Sequence, residues 1–314
     1  MDNYLKPYGD IELQRRMVSD RPRTSAFAAA ICETVQTGDV VLDVGTGTGI
    51  LAMMAAKAGA KKVYGIDVTD IADVATELAK INGLADKVQF LRGAADDLIL
   101  DQKVDLLISE WLGHTAFSEG MLHAVLAARD HNLAPTGRMM PHQVRVLIAP
   151  LDEPILYNAE GPGFWRKRIH DLDFSILQGV ELSQGRAMQI KVDAAALLAP
   201  GESIIELNLQ TASIDDVCSD CRLEFVAIRD GVLNGFCIWF EADLSRSVTL
   251  DTGPFSPETH WAQTYVSFAP RPVRAGEKLE VVVDFCYDPD PAAISRHVGL
   301  CVSVGESELS YLID

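Results

Sequence analysis

From Asp39 to Pro141 short apolar runs alternate with longer segments of helical period. DVVLDV, KVYGID, KVQFLRG and VDLLISE have the length and branched-residue content of buried strands. Ile50 to Ala58, Ile71 to Ile81 and Glu119 to Asp130 space their apolar residues as helices do. That alternation predicts a doubly wound parallel sheet, an α/β fold. Ahead of it, GDIELQRRMVSD and RTSAFAAAICETV predict two helices separated by Asp20-Arg21-Pro22, with Pro22 suited to a first helical turn and Asp20 to its cap. After Pro141 the segments HQVRVLIAP, AMQIKVD, SIIELNLQ, CRLEFVAIRD, FCIWFEADL, QTYVSFAP and KLEVVVDFCYD follow one another without regular helix insertion, which predicts an antiparallel sandwich or barrel. Between roughly Glu153 and Gly185, Phe164, Trp165, Phe174 and Leu177 stand among charges in a helical pattern, an excursion expected to pack elsewhere. The expected organisation is N-terminal helices over 1–37, the parallel α/β domain over 38–141 and the antiparallel domain over 142–314.

Composition narrows the function classes. With 314 residues, 48% hydrophobic and 23% charged, the chain can bury one large core or two intimate ones, which excludes disorder. A net charge of −18 argues against a general grip on nucleic-acid phosphates or anionic lipid; it permits a cationic substrate and by itself demands nothing beyond solubility. MDNYLKPYGD lacks a basic start followed by an apolar run, and nowhere do about 18 apolar residues stand together, so a soluble cytoplasmic chain with no membrane partner is expected. Cys32, Cys218, Cys221, Cys237, Cys286 and Cys301 lie mostly in apolar or strand-like surroundings and suit reduced thiols. Cys218-Ser-Asp-Cys221 has metal or redox spacing but lacks a second ligand pair, so no metal site is expected.

The strongest local signal is Val41 to Gly49, a buried strand running into the turn Gly45-Thr46-Gly47-Thr48-Gly49 that opens a helix. A dinucleotide fingerprint would place glycine at position 50 to cradle a pyrophosphate, and that residue is Ile50. The spacing after Asp43 instead resembles class I S-adenosylmethionine-dependent methyltransferases, whose cofactor has an amino-acid tail and no phosphate. Asp67, with Val68 beside it, ends the next strand, where a carboxylate can accept two hydrogen bonds from a ribose diol. Asp96, after Ala95, is placed to accept from an adenine amino group, though Asp97 is its neighbour. Past the fourth strand stand Glu110 and, nine residues on, Glu119, followed by Met121. Two carboxylates at the C-terminal edge of such a sheet invite a cation between them, and a planar, permanently charged guanidinium matches their geometry.

SEWLGHTAFSEGML resembles the double-glutamate loop of the protein arginine N-methyltransferase family, and Thr259-His260-Trp261 is similar to that family's threonine-histidine-tryptophan loop. Tyr4 and Tyr8, then Met17, Asp20 and Arg23, fall at the spacings of its aromatic lid helix and second helix. The resemblance implies a Rossmann-like methyltransferase domain, a β-barrel substrate domain joined to it at Pro141, a helical dimerisation arm at about 153–185 and a homodimer. It further implies S-adenosylmethionine as cofactor, S-adenosylhomocysteine as product and a guanidino acceptor. Arg23 would bind the donor's carboxylate, Asp67 its ribose and Asp96 its adenine, with Met17 and Tyr8 closing over the sulfonium. Glu110 and Glu119 would clamp the guanidinium, and Tyr4, His114 and Trp261 would line its pocket. Trp261 is expected either as a stacking plane or as core packing. His260, paired with Asp20, would receive a proton or hold the N-terminal helices shut, the second being preferred. Asp67 for a longer Glu, Gln14 for His, Leu112 for Met and His114 for Tyr depart from the family pattern; the last two would line the acceptor pocket, so arginine in a protein or peptide is the expected acceptor, with free arginine or a small guanidino metabolite as the alternative. A catalytically silent scaffold is the remaining alternative.

Overall fold

The computed structural model describes residues 10–287 and 298–313. Its N-terminal part runs α1 (Ile11–Ser19), α2 (Arg21–Thr34), β1 (Val40–Val44), α3 (Ile50–Ala58), β2 (Lys62–Asp67), α4 (Ile71–Ile81), β3 (Val88–Arg92), β4 (Val104–Ser109), α5 (Leu122–Asn132) and β5 (Leu133–Met140). The strands form a parallel sheet in the order β3-β2-β1-β4-β5, as the apolar pattern predicts. Its β1 is buried along its whole length, and Leu51, Ala52, Ala55 and Ala56 of α3 pack on the sheet at helical spacing. The order of connections reverses between β1 and β4, so the carboxyl ends of these two strands frame the crevice where open α/β sheets bind ligands.

Two boundaries differ from expectation. The helix expected from Glu119 starts at Leu122, because Gly120 takes a left-handed φ of +63° just ahead of it. Also, β5 contains Pro135 and Gly137, which masked its strand character; it sits at the sheet edge, where proline is tolerated.

Beyond a cis Met140–Pro141 bond the chain becomes antiparallel. Its elements are β6 (Gln143–Leu151), α6 (Pro154–Ala159), α7 (Ile176–Gln184), β7 (Ala187–Ile190), β8 (Glu202–Asn208), β9 (Ser219–Val226), β10 (Gly231–Asp243), β11 (Thr249–Asp251), β12 (Gln263–Val273), β13 (Lys278–Tyr287), β14 (Val298–Val304) and β15 (Ser307–Ile313). One sheet runs β7-β12-β10-β6-β8 with β11 on β10, and the other β15-β14-β13-β9. Phe236, Ile238 and Phe240 of β10 share one core with Val281, Val283 and Phe285 of β13, so the two sheets close around it. The excursion after β6 forms α6, a tight turn over Pro162–Arg166 and α7, and it leaves Ile155, Leu172, Ile176 and Val180 exposed.

Candidate active site

The turn after β1 is held from both sides. Gly45 and Thr46 donate backbone N–H groups to the Ile66 carbonyl at 2.9 and 3.0 Å, and Gly45, Gly47 and Gly49 all take positive φ. A Cβ on Gly45 would come 2.6 Å from Met121 Cε, and one on Gly47 would come 2.9 Å from Gln14 Oε1. Bare backbone is therefore what leaves room here. Beside the turn lies a cavity of about 220 Å³, room for much more than one water molecule at about 30 Å³.

Four stretches of chain wall the cavity. From α1 and α2 come Gln14, Met17, Val18 and Arg23; from the first crevice edge Gly45 to Thr48 and Asp67, Val68 and Thr69. Gly93 to Asp96 follow β3, while Glu110, Glu119, Met121 and His123 belong to the segment after β4. Asp67 Oδ2 accepts from Gly47 N at 2.9 Å, and Oδ1 accepts from Thr69 N and Oγ1 at 2.9 and 2.7 Å. A carboxylate offers about four acceptor sites, so one remains for a ligand hydroxyl, fewer than the two expected. Asp96 Oδ2 pairs with His123 Nδ1 at 3.3 Å. His123, the second residue of α5, was not anticipated from the sequence, and neither were Gln14 and Thr69 as wall residues.

The two glutamates reach the same cavity because the chain between them doubles back. Gly113 and Ala116 exchange N–H···O=C bonds of 3.0 Å, with Ala116 at φ 65°, and a Cβ on Gly113 would sit 2.8 Å from Glu119 N. Glu110 Oε2 accepts from Arg23 Nε at 2.9 Å and Nη2 at 2.5 Å, and Oε1 accepts from Leu112 N at 3.1 Å. Arg23 Nη1 also donates to Met17 O at 3.2 Å. Arg23, expected to bind the donor's carboxylate, spends part of its donor fork fixing Glu110 and retains donors for a second anion.

Several expected residues lie off the cavity wall. Asp43 points beneath the turn: its Oδ2 accepts from Thr46 Oγ1 at 2.6 Å and Ala52 N at 3.1 Å, while its buried Oδ1 has no hydrogen-bond partner. Burial pushes its carboxyl up to about 7, and through Thr46 and Ala52 it braces the turn from beneath, off the cavity wall. Gly49 faces Phe90, whose Cζ would be 2.3 Å from a Cβ, and serves close packing under α3. Trp261 is buried at 1% exposure, donates Nε1–H to Leu112 O at 2.6 Å and meets Phe240 edge-on at 5.1 Å. It is core packing that bolts the glutamate loop to the barrel, and offers no open face for stacking. His114 points the same way, its Nδ1 2.6 Å from Trp261 O. Burial, joined by the Arg16 and His260 charges, holds His114 below the ordinary histidine range against the opposing pull of that carbonyl.

Asp20 and His260 do meet, at 2.7 Å between Oδ2 and Nδ1, but outside the cavity. The same Oδ2 accepts from His260 N at 2.8 Å, and Oδ1 caps α2 by accepting from Arg23 N at 3.0 Å. Burial raises the Asp20 carboxyl, yet these hydrogen bonds from His260 and Arg23 outweigh it and hold it below its usual range. Arg16 Nη2 adds a bond to His260 O at 2.6 Å. Neither residue is placed to touch a ligand in the cavity; together they latch α1 and α2 to the barrel. Tyr4 and Tyr8 lie outside the described residues.

Comparison with known proteins fits this arrangement. Residues 147–297 match the arginine methyltransferase oligomerization subdomain, and residues 20–118 match the ribosomal protein L11 methyltransferase family. Protein arginine N-methyltransferase 1 of Schizosaccharomyces pombe is 33% identical over 285 residues, covering 88% of this chain and 83% of its own. This chain belongs to the protein arginine N-methyltransferase family. Protein arginine N-methyltransferase 6 of Xenopus tropicalis is 30% identical, covering 91% of this chain and 86% of its own. Among solved structures, the Trypanosoma brucei PRMT1 enzyme-prozyme heterotetrameric complex with AdoHcy superposes with a TM-score of 0.86 at 29% identity, over 98% of this chain and 100% of that one. Arabidopsis thaliana protein arginine methyltransferase 10, in an open conformation, gives a TM-score of 0.82 at 27% identity, over 99% of this chain and 100% of that one. Membership in the arginine N-methyltransferases makes the chain an S-adenosylmethionine-dependent enzyme. No helix among the described residues is long and apolar enough to cross a membrane.

Proposed function

We propose that this protein transfers a methyl group from S-adenosylmethionine to a guanidino nitrogen of arginine within a protein or peptide. The observation that carries the reading is that Glu110 and Glu119 line one cavity together with the glycine turn and Asp67. Bound S-adenosylmethionine would supply an electrophilic methyl group on a sulfonium cation. Gly45 and Gly47 leave the backbone open for the donor, the free N–H groups of Arg23 take its carboxylate, Asp67 takes one ribose hydroxyl, and Asp96 with His123 meets the adenine edge. Val68, Ala95, Met17 and Met121 supply apolar wall.

The glutamates answer an electrostatic problem. Donor and acceptor are both cations, and two unit charges about 4 Å apart repel by about 4 kcal/mol at an effective dielectric near 20. Carboxylates on the acceptor side offset that repulsion, and the Arg23 bond keeps Glu110 preorganised for it. Two hydrogen-bonded guanidinium nitrogens are drawn toward the carboxylates, which leaves the third richer in electron density and aimed at the methyl group. Guanidinium holds its proton up to a pKa above about 12, so the proton leaves during or after transfer. His260 is tied to Asp20 and holds the entrance helices in place.

The reading extends to a cytoplasmic homodimer. All six cysteines being thiols suits a reducing compartment, and the exposed apolar face of α6 and α7 lies within the matched oligomerization subdomain. The deciding assay supplies radiolabelled donor with free L-arginine in one tube and an arginine-rich peptide in another. Label in the peptide is the expected result; label only in free arginine overturns the reading.

A further inference from the structure

Two thiols away from the cavity face each other. Cys218 Sγ and Cys286 Sγ lie 3.3 Å apart, both on the exposed side of the second sheet. β9 and β13 are antiparallel with Ser219 opposite Phe285, and one more step of that ladder sets Cys218 opposite Cys286. Opposed antiparallel residues have Cα atoms about 4.5–5.5 Å apart, within the span that a disulfide bridges without backbone movement. Cys221, three residues on, turns inward against the core, so the partner of Cys218 is across the ladder rather than along the CxxC spacing.

What the pair joins gives it meaning. Cys218 directly follows the turn Ile214–Val217, in a stretch anchored to α5 by Arg129 Nη1, which donates to Leu209 O and Ala212 O at 2.8 Å each. Cys286 stands between Phe285 and Tyr287, whose rings lie 6.1 and 6.3 Å from that of Phe117. Phe117 is buried in the loop that carries Glu119, and α5 begins where that loop ends. The thiol pair thus spans the two supports of the acceptor loop.

We propose that Cys218 and Cys286 are a redox modification site, forming a reversible disulfide that stiffens the loop over residues 113–121. With hydrogen peroxide as oxidant, one thiolate attacks a peroxide oxygen, giving a sulfenic acid and releasing water after proton uptake. The second thiol displaces the sulfenic oxygen as a second water; the two thiols lose two electrons and two protons, and the peroxide is reduced to two waters. Bond formation brings the sulfurs from 3.3 Å to about 2.05 Å and fastens the end of β13 to the segment held by α5.

The test treats the full chain with dilute peroxide, blocks remaining thiols and maps cross-linked peptides, then follows amide exchange and methyl transfer. Expected are a Cys218–Cys286 cross-link, exchange across residues 113–121 slowed about 10-fold and peptide turnover lowered at least about twofold, all reversed by dithiothreitol. Cys218→Ser keeps normal turnover when reduced and shows none of these changes under peroxide. Absence of the cross-link, or a cross-link that leaves exchange of 113–121 unchanged, overturns the inference. Only the turnover arm rests on the proposed function: a reduced protein that methylates no peptide defeats that function, while cross-link and exchange still decide this site.

Discussion

Replacing Glu119 with Gln removes one negative charge from the cavity wall and keeps the size and shape of the side chain. A carboxylate about 4 Å from the guanidinium contributes about 4 kcal/mol at an effective dielectric near 20, and solvent reaching a half-buried side chain, taken as a dielectric of about 30, reduces that to about 2.8 kcal/mol. A barrier higher by that amount corresponds to a rate about 100-fold lower. The charge acts where two cations are pressed together, so the loss belongs in the transfer step. Single-turnover transfer from radiolabelled donor to an arginine-rich peptide reads that step directly, and calorimetric titration with S-adenosylhomocysteine reads donor binding. The expected outcome is transfer slowed at least about 100-fold with donor affinity changed less than about threefold. Transfer within about fivefold of the parent rate would show that Glu119 does not hold the acceptor, and the paired-carboxylate reasoning would fail with it.

Glu110→Gln should behave differently, because Arg23 and Glu110 are a buried pair with side chains each 6% exposed. Removing one partner strands the other, at a typical cost of about 3–5 kcal/mol, so thermal unfolding falls by several degrees and donor affinity weakens along with turnover. A Glu110→Gln protein as stable as the parent would contradict the pairing. Asp43→Asn tests the turn: a carboxyl raised to about 7 by burial binds its proton in the folded state after the unfolded chain, near 3.8, has lost it. Folded chains then hold more protons between those values, and that group's contribution to stability falls as pH rises from about 4 to 7. The Asn variant escapes that loss, so denaturant titrations should show it gaining on the parent between pH 5 and pH 8; parallel curves would refute the assignment.

Local chemistry was the legible part of this sequence. The glycine turn, the Asp20 cap and the strand-end Asp67 each depend on a few neighbouring residues, and all three stand where spacing put them. Partnerships across the fold were less legible. Trp261 and His114 carry the residue types of an acceptor pocket, yet each turns toward the other's loop through contacts 147 to 149 residues apart. Whether an aromatic ring lines a cavity or fills a seam is decided by what arrives opposite it, and here Phe240 arrives. Arg23 shows the same limit: its type announced an anion partner, but a second claimant on its donors, Glu110, lies 87 residues away. The start of α5 was misplaced by a single backbone angle, at Gly120.

The division of labour within the Asp20 carboxylate has a kinetic implication. One oxygen terminates the helix that bears Arg23 and the other grips the loop before Trp261, so a single side chain signs for two neighbours. Departure of the front helices from the barrel would break the histidine latch and the brace on Glu110 together, while the cap travels with α2. Both contacts therefore stand in the barrier to any separation of those helices from the barrel.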